Sequence, residues 1–369
     1  MALLAGTAAA DEVILDDPGW TVEQVRLRMS VLDQHGRGFQ SQAGPASGPG
    51  SERLWVFTPS AMFSVRQSRQ VVHEITIPVD IISAASPDAV DAMSSASRHN
   101  ESGDLELRST IQRGDADSFT FQLIGHVEEQ LKSRTVGAGW RRSFAEDNAA
   151  LSVTGTLGYD GFDDVDEHGV FEGAAGRWTY SLNVGFSQLL SPTTVVDAGY
   201  GATRQFGDLG NGWSSVPTPA GITDERMPTD RLRQAYSVRL AQRIPQTRST
   251  AKLGYRLYLD NFGVTAHTVE ATGYQYLASW LYVRGGYRFH RQNGVSFYTE
   301  LFAGNPSDPD MLRTADSDLA PLSAHEVSLQ LVTLTSRARP WSVSGELLRY
   351  WRSNDLQITA VSLAVTRAL

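Results

Sequence analysis

The chain has 369 residues with 33 glycines, no cysteine, 8 Trp, 12 Tyr and 14 Phe, and a formal net charge of −9. Acidic residues (41) outnumber Lys plus Arg (32), and no basic cluster interleaves with aromatics, which argues against nucleic-acid binding. The lack of cysteine removes disulfide scaffolds, thiolate zinc sites and thiol nucleophiles, and the even spread of aromatic and β-branched residues argues against disorder.

Residues 1–10 read M-A-L-L-A-G-T-A-A-A and are followed by Asp11 and Glu12. An apolar stretch ending in small residues before an acidic start reads as the remnant of a secretory signal peptide, with 11–369 as one domain. The first cation is Arg26, so the basic segment that opens a complete signal is absent from these residues.

Beyond residue 20 the pattern has period two rather than 3.6. Val25, Leu27, Met29 and Val31 share one face, and Leu151, Val153, Leu157 and Tyr159 continue the rule. From Arg177 to Ser187, Trp178, Tyr180, Leu182, Val184 and Phe186 oppose Arg177, Thr179, Ser181 and Asn183. Leu232, Tyr236, Val238 and Leu240 oppose Arg233, Arg239 and Arg243, while Ala251, Leu253, Tyr255, Leu257 and Leu259 oppose Lys252, Arg256, Tyr258 and Asp260. Leu281, Val283, Tyr287 and Phe289 oppose Arg284, Arg288 and His290. Such segments exceed the roughly five or six residues of a soluble strand and match the about nine to eleven tilted residues that cross a bilayer.

The pattern predicts about sixteen strands: 20–32, 54–67, 69–82, 103–113, 117–129, 131–143, 148–160, 177–190, 193–206, 231–243, 248–259, 267–277, 281–291, 323–335, 341–352 and 356–369. Alternate connections are short, for example at Gly114, Ser191-Pro192 and Ala278-Ser279-Trp280. The long ones, near 33–53, 83–102, 161–176, 207–230 and 292–322, all fall in the other set. Outer-membrane barrels have short periplasmic turns and longer external loops, so the segregation predicts an all-β transmembrane antiparallel barrel with both termini periplasmic. In lipid every backbone polar group must be paired internally, and a closed sheet achieves this without edges. Water in the lumen admits charged inward side chains, so a chain that is only 41% hydrophobic can still span a membrane. Trp20, Trp178, Trp280, Trp341 and Trp351 near strand ends suit interfacial girdles.

Four stretches carry a family resemblance: S-A-A-S-P-D-A-V-D-A-M-S-S-A-S at 83–97, Y-R-L-Y-L-D-N-F-G-V-T-A-H-T-V-E at 255–270, Y-R-F-H-R-Q-N-G-V-S-F-Y at 287–298 and A-D-S-D-L-A-P-L-S-A-H at 315–325. With the strands between them, the chain resembles the bacterial outer-membrane family labelled domain of unknown function 3570. Phe262 stands where a D-D-W-G-like stretch would carry Trp, and Leu369 replaces the aromatic that ends many barrels. The resemblance implies a barrel, not an activity. Relatives encoded near flavin-transferase and thioredoxin-like genes imply an envelope redox or transport setting.

The chemistry is sparse. The histidines lack metal spacing, and Asp260, His267 and His290 near the external rim are the conceivable members of a hydrolase site, against the more ordinary reading of rim polar residues. The run Asp160, Asp163, Asp164, Asp166 and Glu167 offers oxygen ligands for Ca²⁺ but lacks the spacing and glycine of an EF-hand, so a solvated loop is the preferred reading. The remaining signal is the inward set on four consecutive strands, Arg233, Arg239, Arg243, Lys252, Arg256, Arg284 and Arg288, with acidic Asp260 and Glu270. Such a basic wall either tunes pore selectivity or pairs with carboxylates such as Glu326 and Glu346 to stiffen the barrel. The sequence thus predicts a porin-like conduit for small solutes, with anions the candidate preference where the basic wall tunes selectivity, needing no catalysis or cofactor. The rival is a non-conducting barrel anchoring an envelope or redox complex. Expected partners are outer-membrane lipid and lipopolysaccharide, the barrel-assembly machinery and a periplasmic protein.

Overall fold

The computed structural model describes residues 19–36, 53–84, 99–128, 131–165, 171–210, 215–336 and 339–369. The chain forms β1 (Thr21–His35), β2 (Leu54–Arg66), β3 (Val71–Ala84), β4 (His99–Arg113), β5 (Asp117–Val127), β6 (Leu131–Phe144), β7 (Ala149–Val165), β8 (Phe171–Ser191) and β9 (Thr194–Gly207). A short hairpin follows, β10 (Ser215–Thr218) and β11 (Gly221–Asp224). The chain then runs through β12 (Asp230–Ile244), β13 (Ser249–Asp260), β14 (Thr265–Ala278), β15 (Leu281–Gln292), β16 (Leu322–Thr333), β17 (Trp341–Arg352) and β18 (Gln357–Ala368). All but β10 and β11 join one closed antiparallel sheet of sixteen strands, each paired with its neighbour in sequence, and β1 closes on β18 through a register from Gln24↔Ala368 to His35↔Gln357.

The alternation read from the sequence sets the two faces. Leu27, Met29, Leu123, Leu182, Leu253, Leu329, Leu347 and Leu363 lie on the outside and are exposed there, which in water would be a large unfavourable apolar surface. Outward charges in the described strands lie toward the strand ends, among them the pairs His35–Asp33 and Arg204–Asp230 at one rim and Arg142–Asp117 at the other. Aromatic residues flank the leucine band at both rims. On the side of the termini Trp280 and Trp341 lie under Arg339 and Arg367, and on the other side Trp351 stacks on His325 and Trp178 packs on Tyr159. This is the apolar belt between aromatic girdles that a bilayer requires of a barrel.

The connections divide as expected. On the side of the termini they are tight: 114–116, 192–193 and 279–280 hold few residues, and 245–247 is a single 3-10 turn followed by Arg248 in the left-handed region at φ 54°. The hairpin after β6 turns through Ala145, Glu146 and Asp147, all at positive φ. The opposite end carries the long connections, including 208–229 and 293–321.

One expected loop is corrected. Most of 161–176 is strand, because β7 continues to Val165 and β8 begins at Phe171 in a register from Asp160↔Arg177 to Asp164↔Gly173. Alternation turns Asp160 inward, where Arg177 Nε donates to it at 2.8 Å, so the charge that suggested a loop is accommodated by the wet face. The loop near 207–230 contains the β10–β11 hairpin rather than coil alone. The strands around 33–53 and 83–102 reach His35, Ala84 and His99, while the expected signal remnant at 1–10 and the stretches 37–52, 85–98 and 166–170 lie outside the described residues.

Candidate functional site: the charged lumen wall

The inward faces of β12–β15 form the wall read from the sequence. A cavity of about 490 Å³ is bordered by Arg141, Asp197, Arg239, Arg256, Thr268 and Glu270, and a second of about 550 Å³ by Asn183, Thr203, Arg233, Ser237, Arg256 and Tyr258. Arg256 borders both. Arg233, Arg239, Arg243, Lys252, Arg256, Arg284 and Arg288 fall on the face opposite the exposed Leu232, Val238, Leu240, Leu253 and Tyr287, which is the lumen.

Closure of the barrel supplies partners that strand periodicity does not reveal. Arg239 Nε meets Asp197 of β9 at 3.0 Å, and Arg288 Nε meets Glu270 of β14 at 3.3 Å. Arg284 reaches Glu346, two strands away on β17, at 3.9 Å. Glu326, the other expected partner, sits opposite Arg288 in register. Arg233 donates to Gln205, and the Lys252 ammonium lies 4.9 Å above the Tyr274 ring. Among the described residues Arg256 has no carboxylate within 4 Å, so the wall keeps uncompensated charge at mid-strand. The Nε groups of Arg233 and Arg284 make no hydrogen bond to protein, and that of Arg288 lies near Glu270 without hydrogen-bond geometry, so a wet lumen can satisfy all three with water.

Two inward residues were missed by the sequence reading. Arg231 shares the face of Arg233 and holds Asp260 at 2.6 Å, with its guanidinium 4.6 Å from the Phe262 ring. It is one period before Arg233, so the pattern could have included it. Asp197, in contrast, is 42 positions from Arg239 and becomes its partner only because β9 adjoins β12.

The conceivable hydrolase site does not assemble. Asp260 and His290 face inward, where His290 bonds Thr268 at 2.9 Å, whereas His267 faces outward and bonds the Tyr255 hydroxyl at 2.7 Å. The acidic run is likewise split: Asp160 pairs with Arg177, neighbours Asp163 and Asp164 point to opposite faces of β7, and Asp166 and Glu167 lie outside the described residues. Among the described residues no group of three His, Cys, Asp or Glu is arranged to hold a metal ion.

At the far end, the described residues 208–210 and 215–229 pack with 293–321 over the β13–β14 turn. Leu209, Phe262, Val264, Val295 and Leu319 form a buried apolar cluster, and Phe302 N–H donates to the Pro217 carbonyl at 2.7 Å. Phe262 fills this core edge-on to Phe297. Arg313 is 1% exposed, with its Nε donating 2.7 Å to the Asp224 carbonyl and its guanidinium over the Phe302 ring. Burial pushes the Asp316 carboxyl above its ordinary range, and nearby Asp318 adds to the shift. A carboxyl with a raised folded pKa stabilises most when protonated, below its unfolded value. That contribution is lost as pH rises from the unfolded pKa through the folded one, leaving a standing cost at neutral pH. Asp316→Asn keeps the acceptor used by the Asp318 N–H and removes the charge. The expected result is slower protease cleavage within 293–321 at pH 7 and loss of its acid-side pH dependence, read by limited proteolysis across pH 4–8; unchanged rates at every pH would refute it.

The protein family described as "Protein of unknown function (DUF3570)" matches residues 106–360. The chain belongs to this family. No match is found among curated proteins. Among solved structures the chain is similar to the outer membrane protein OprD of Pseudomonas aeruginosa, with TM-score 0.47 and 10% identity over 96% of both chains. It is similar also to OccK1 of that organism, with TM-score 0.42 and 10% identity over 94% of this chain and 98% of the other. A third likeness is to the siderophore receptor PirA of Pseudomonas aeruginosa, with TM-score 0.46 and 10% identity over 89% of this chain, which spans 56% of that receptor. At such identity the likeness concerns the fold alone. The sheet described above is a porin-like barrel on its own evidence: sixteen closed strands, an apolar belt and a charged interior.

Proposed function

We propose that the protein is an outer-membrane conduit for small solutes with a weak preference for anions, its termini and tight turns facing the periplasm. The observation that carries this reading is the polar, cavity-lined lumen with Arg256 uncompensated between its two cavities. A barrel of sixteen strands is wide enough for an aqueous path. Lipid and lipopolysaccharide would contact the leucine belt and its rims, and insertion would use the barrel-assembly machinery. No residue is assigned a catalytic role and no cofactor is invoked. The rival, a non-conducting barrel that anchors a periplasmic or redox partner, draws support from the packed loops at the far mouth, which could close the path. Planar bilayers decide between them. Reconstituted protein with heat-modifiable gel migration should give discrete conductance steps, and folded protein that inserts without any step would overturn the conduit.

A further inference from the structure

The lumen charge is distributed unevenly around the ring. In the closed strand order β3 and β4 lie about half a circumference from β13–β15. They turn Glu74, Asp80, Asp104 and Glu106 inward, opposite the outward Ile77, Val79, Leu105 and Leu107. Arg108 offsets Glu106 at 2.9 Å, and His126 bonds Asp104 at 2.8 Å. Among the described residues Glu74 and Asp80 have no cation within 4 Å, and Asp80 accepts a hydrogen bond from the neutral Thr58 hydroxyl. In depth the two walls overlap. Counted from the strand end on the side of the termini, Arg256 and Arg288 are each the eighth residue, between Glu74 at the fourth and Asp80 at the tenth.

We infer that the acidic β3–β4 wall and the basic β12–β15 wall set a transverse field across the lumen, and that this field favours small dipolar solutes carrying both an ammonium and a carboxylate. The inference rests on the conducting reading above. A simple anion is drawn to one wall and repelled by the other. A dipolar solute lowers its energy by turning its carboxylate toward Arg256 and its ammonium toward Asp80, with no net charge to be compensated. An uncharged solute gains nothing. Low-dielectric walls concentrate such fields, and salt screens them over roughly 8 Å at about 0.15 M, so discrimination should be greatest in dilute buffer.

Swelling of proteoliposomes in low-salt isotonic solution tests this, with glycylglycine as the dipolar probe and a neutral sugar alcohol of similar size as reference. The native barrel should admit glycylglycine about twofold faster than the reference, the order of gain expected of unit charges screened over roughly 8 Å. Glu74→Gln/Asp80→Asn and Arg256→Gln/Arg288→Gln should each bring the ratio to about one. Entry of the reference through each variant certifies folded, open barrels, the ratio being taken within each preparation, and the two variants should move the reversal potential in a salt gradient in opposite directions. A native ratio of one, or a ratio that falls only when the arginines are changed, overturns the transverse field while leaving the conduit intact. Failure of the sugar alcohol itself to enter overturns the conduit and the field together.

Discussion

Changing Arg256 and Arg288 together to glutamine should shift the reversal potential across a salt gradient toward cations, starting from a native pore that prefers anions. The direction follows from what each side chain leaves behind. Arg256 has no carboxylate within reach among the described residues, so its loss removes an uncompensated charge bordering both lumen cavities. Arg288 pairs with Glu270 at 3.3 Å, so its loss converts a neutral pair into a free carboxylate. For an ion passing about 8 Å from a unit charge in water, the Coulomb energy is roughly 0.5 kcal/mol before screening. Two charges therefore contribute about 1 kcal/mol to each ion in dilute salt, with opposite sign for anion and cation, so the anion-to-cation ratio changes roughly thirtyfold, falling to about threefold near 0.15 M. If the native pore prefers cations, or if the double change leaves the potential unmoved, these arginines serve the structure of the wall and the selectivity reading is wrong.

The second large effect concerns the outer belt. Leu253 and Leu329 are 57% and 55% exposed on the outward face, away from the charged rims. Arginine at either position places a cation in hydrocarbon, which costs about 2–4 kcal/mol at the bilayer midplane and only about 0–1 near an interface. Leu253→Arg and Leu329→Arg should each lower the urea midpoint in liposomes strongly, read by heat-modifiable gel migration. Ser237→Arg, turned into the lumen, should leave the midpoint nearly unchanged, and equal losses for the outward and inward changes would show that the face assignment is wrong. The contrast also separates a membrane barrel from a soluble one, in which an exposed leucine could become arginine at little cost.

The architecture was legible in the sequence because the information for it is local. In a strand successive side chains alternate faces, so the outward series Ala251, Leu253, Tyr255 and Leu257 against Lys252, Arg256 and Tyr258 declares strand and sidedness without knowledge of neighbours. The division of short and long connections was legible for a similar reason, since strand direction simply alternates along the chain. The one large misreading, the loop at 161–176, arose where charge imitated a loop: Asp160 and Asp164 sit on a wet face, and a strand there carries carboxylates without penalty.

Which charges meet was settled by the closed sheet alone. Arg239 with Asp197, Arg284 with Glu346 and Arg231 with Asp260 depend on strand register, and the opposition of the β3–β4 and β12–β15 walls depends on closure of the ring. Periodicity fixes the face of a residue but not its neighbour across the sheet, because register and closure are set by hydrogen bonds between strands far apart in the chain.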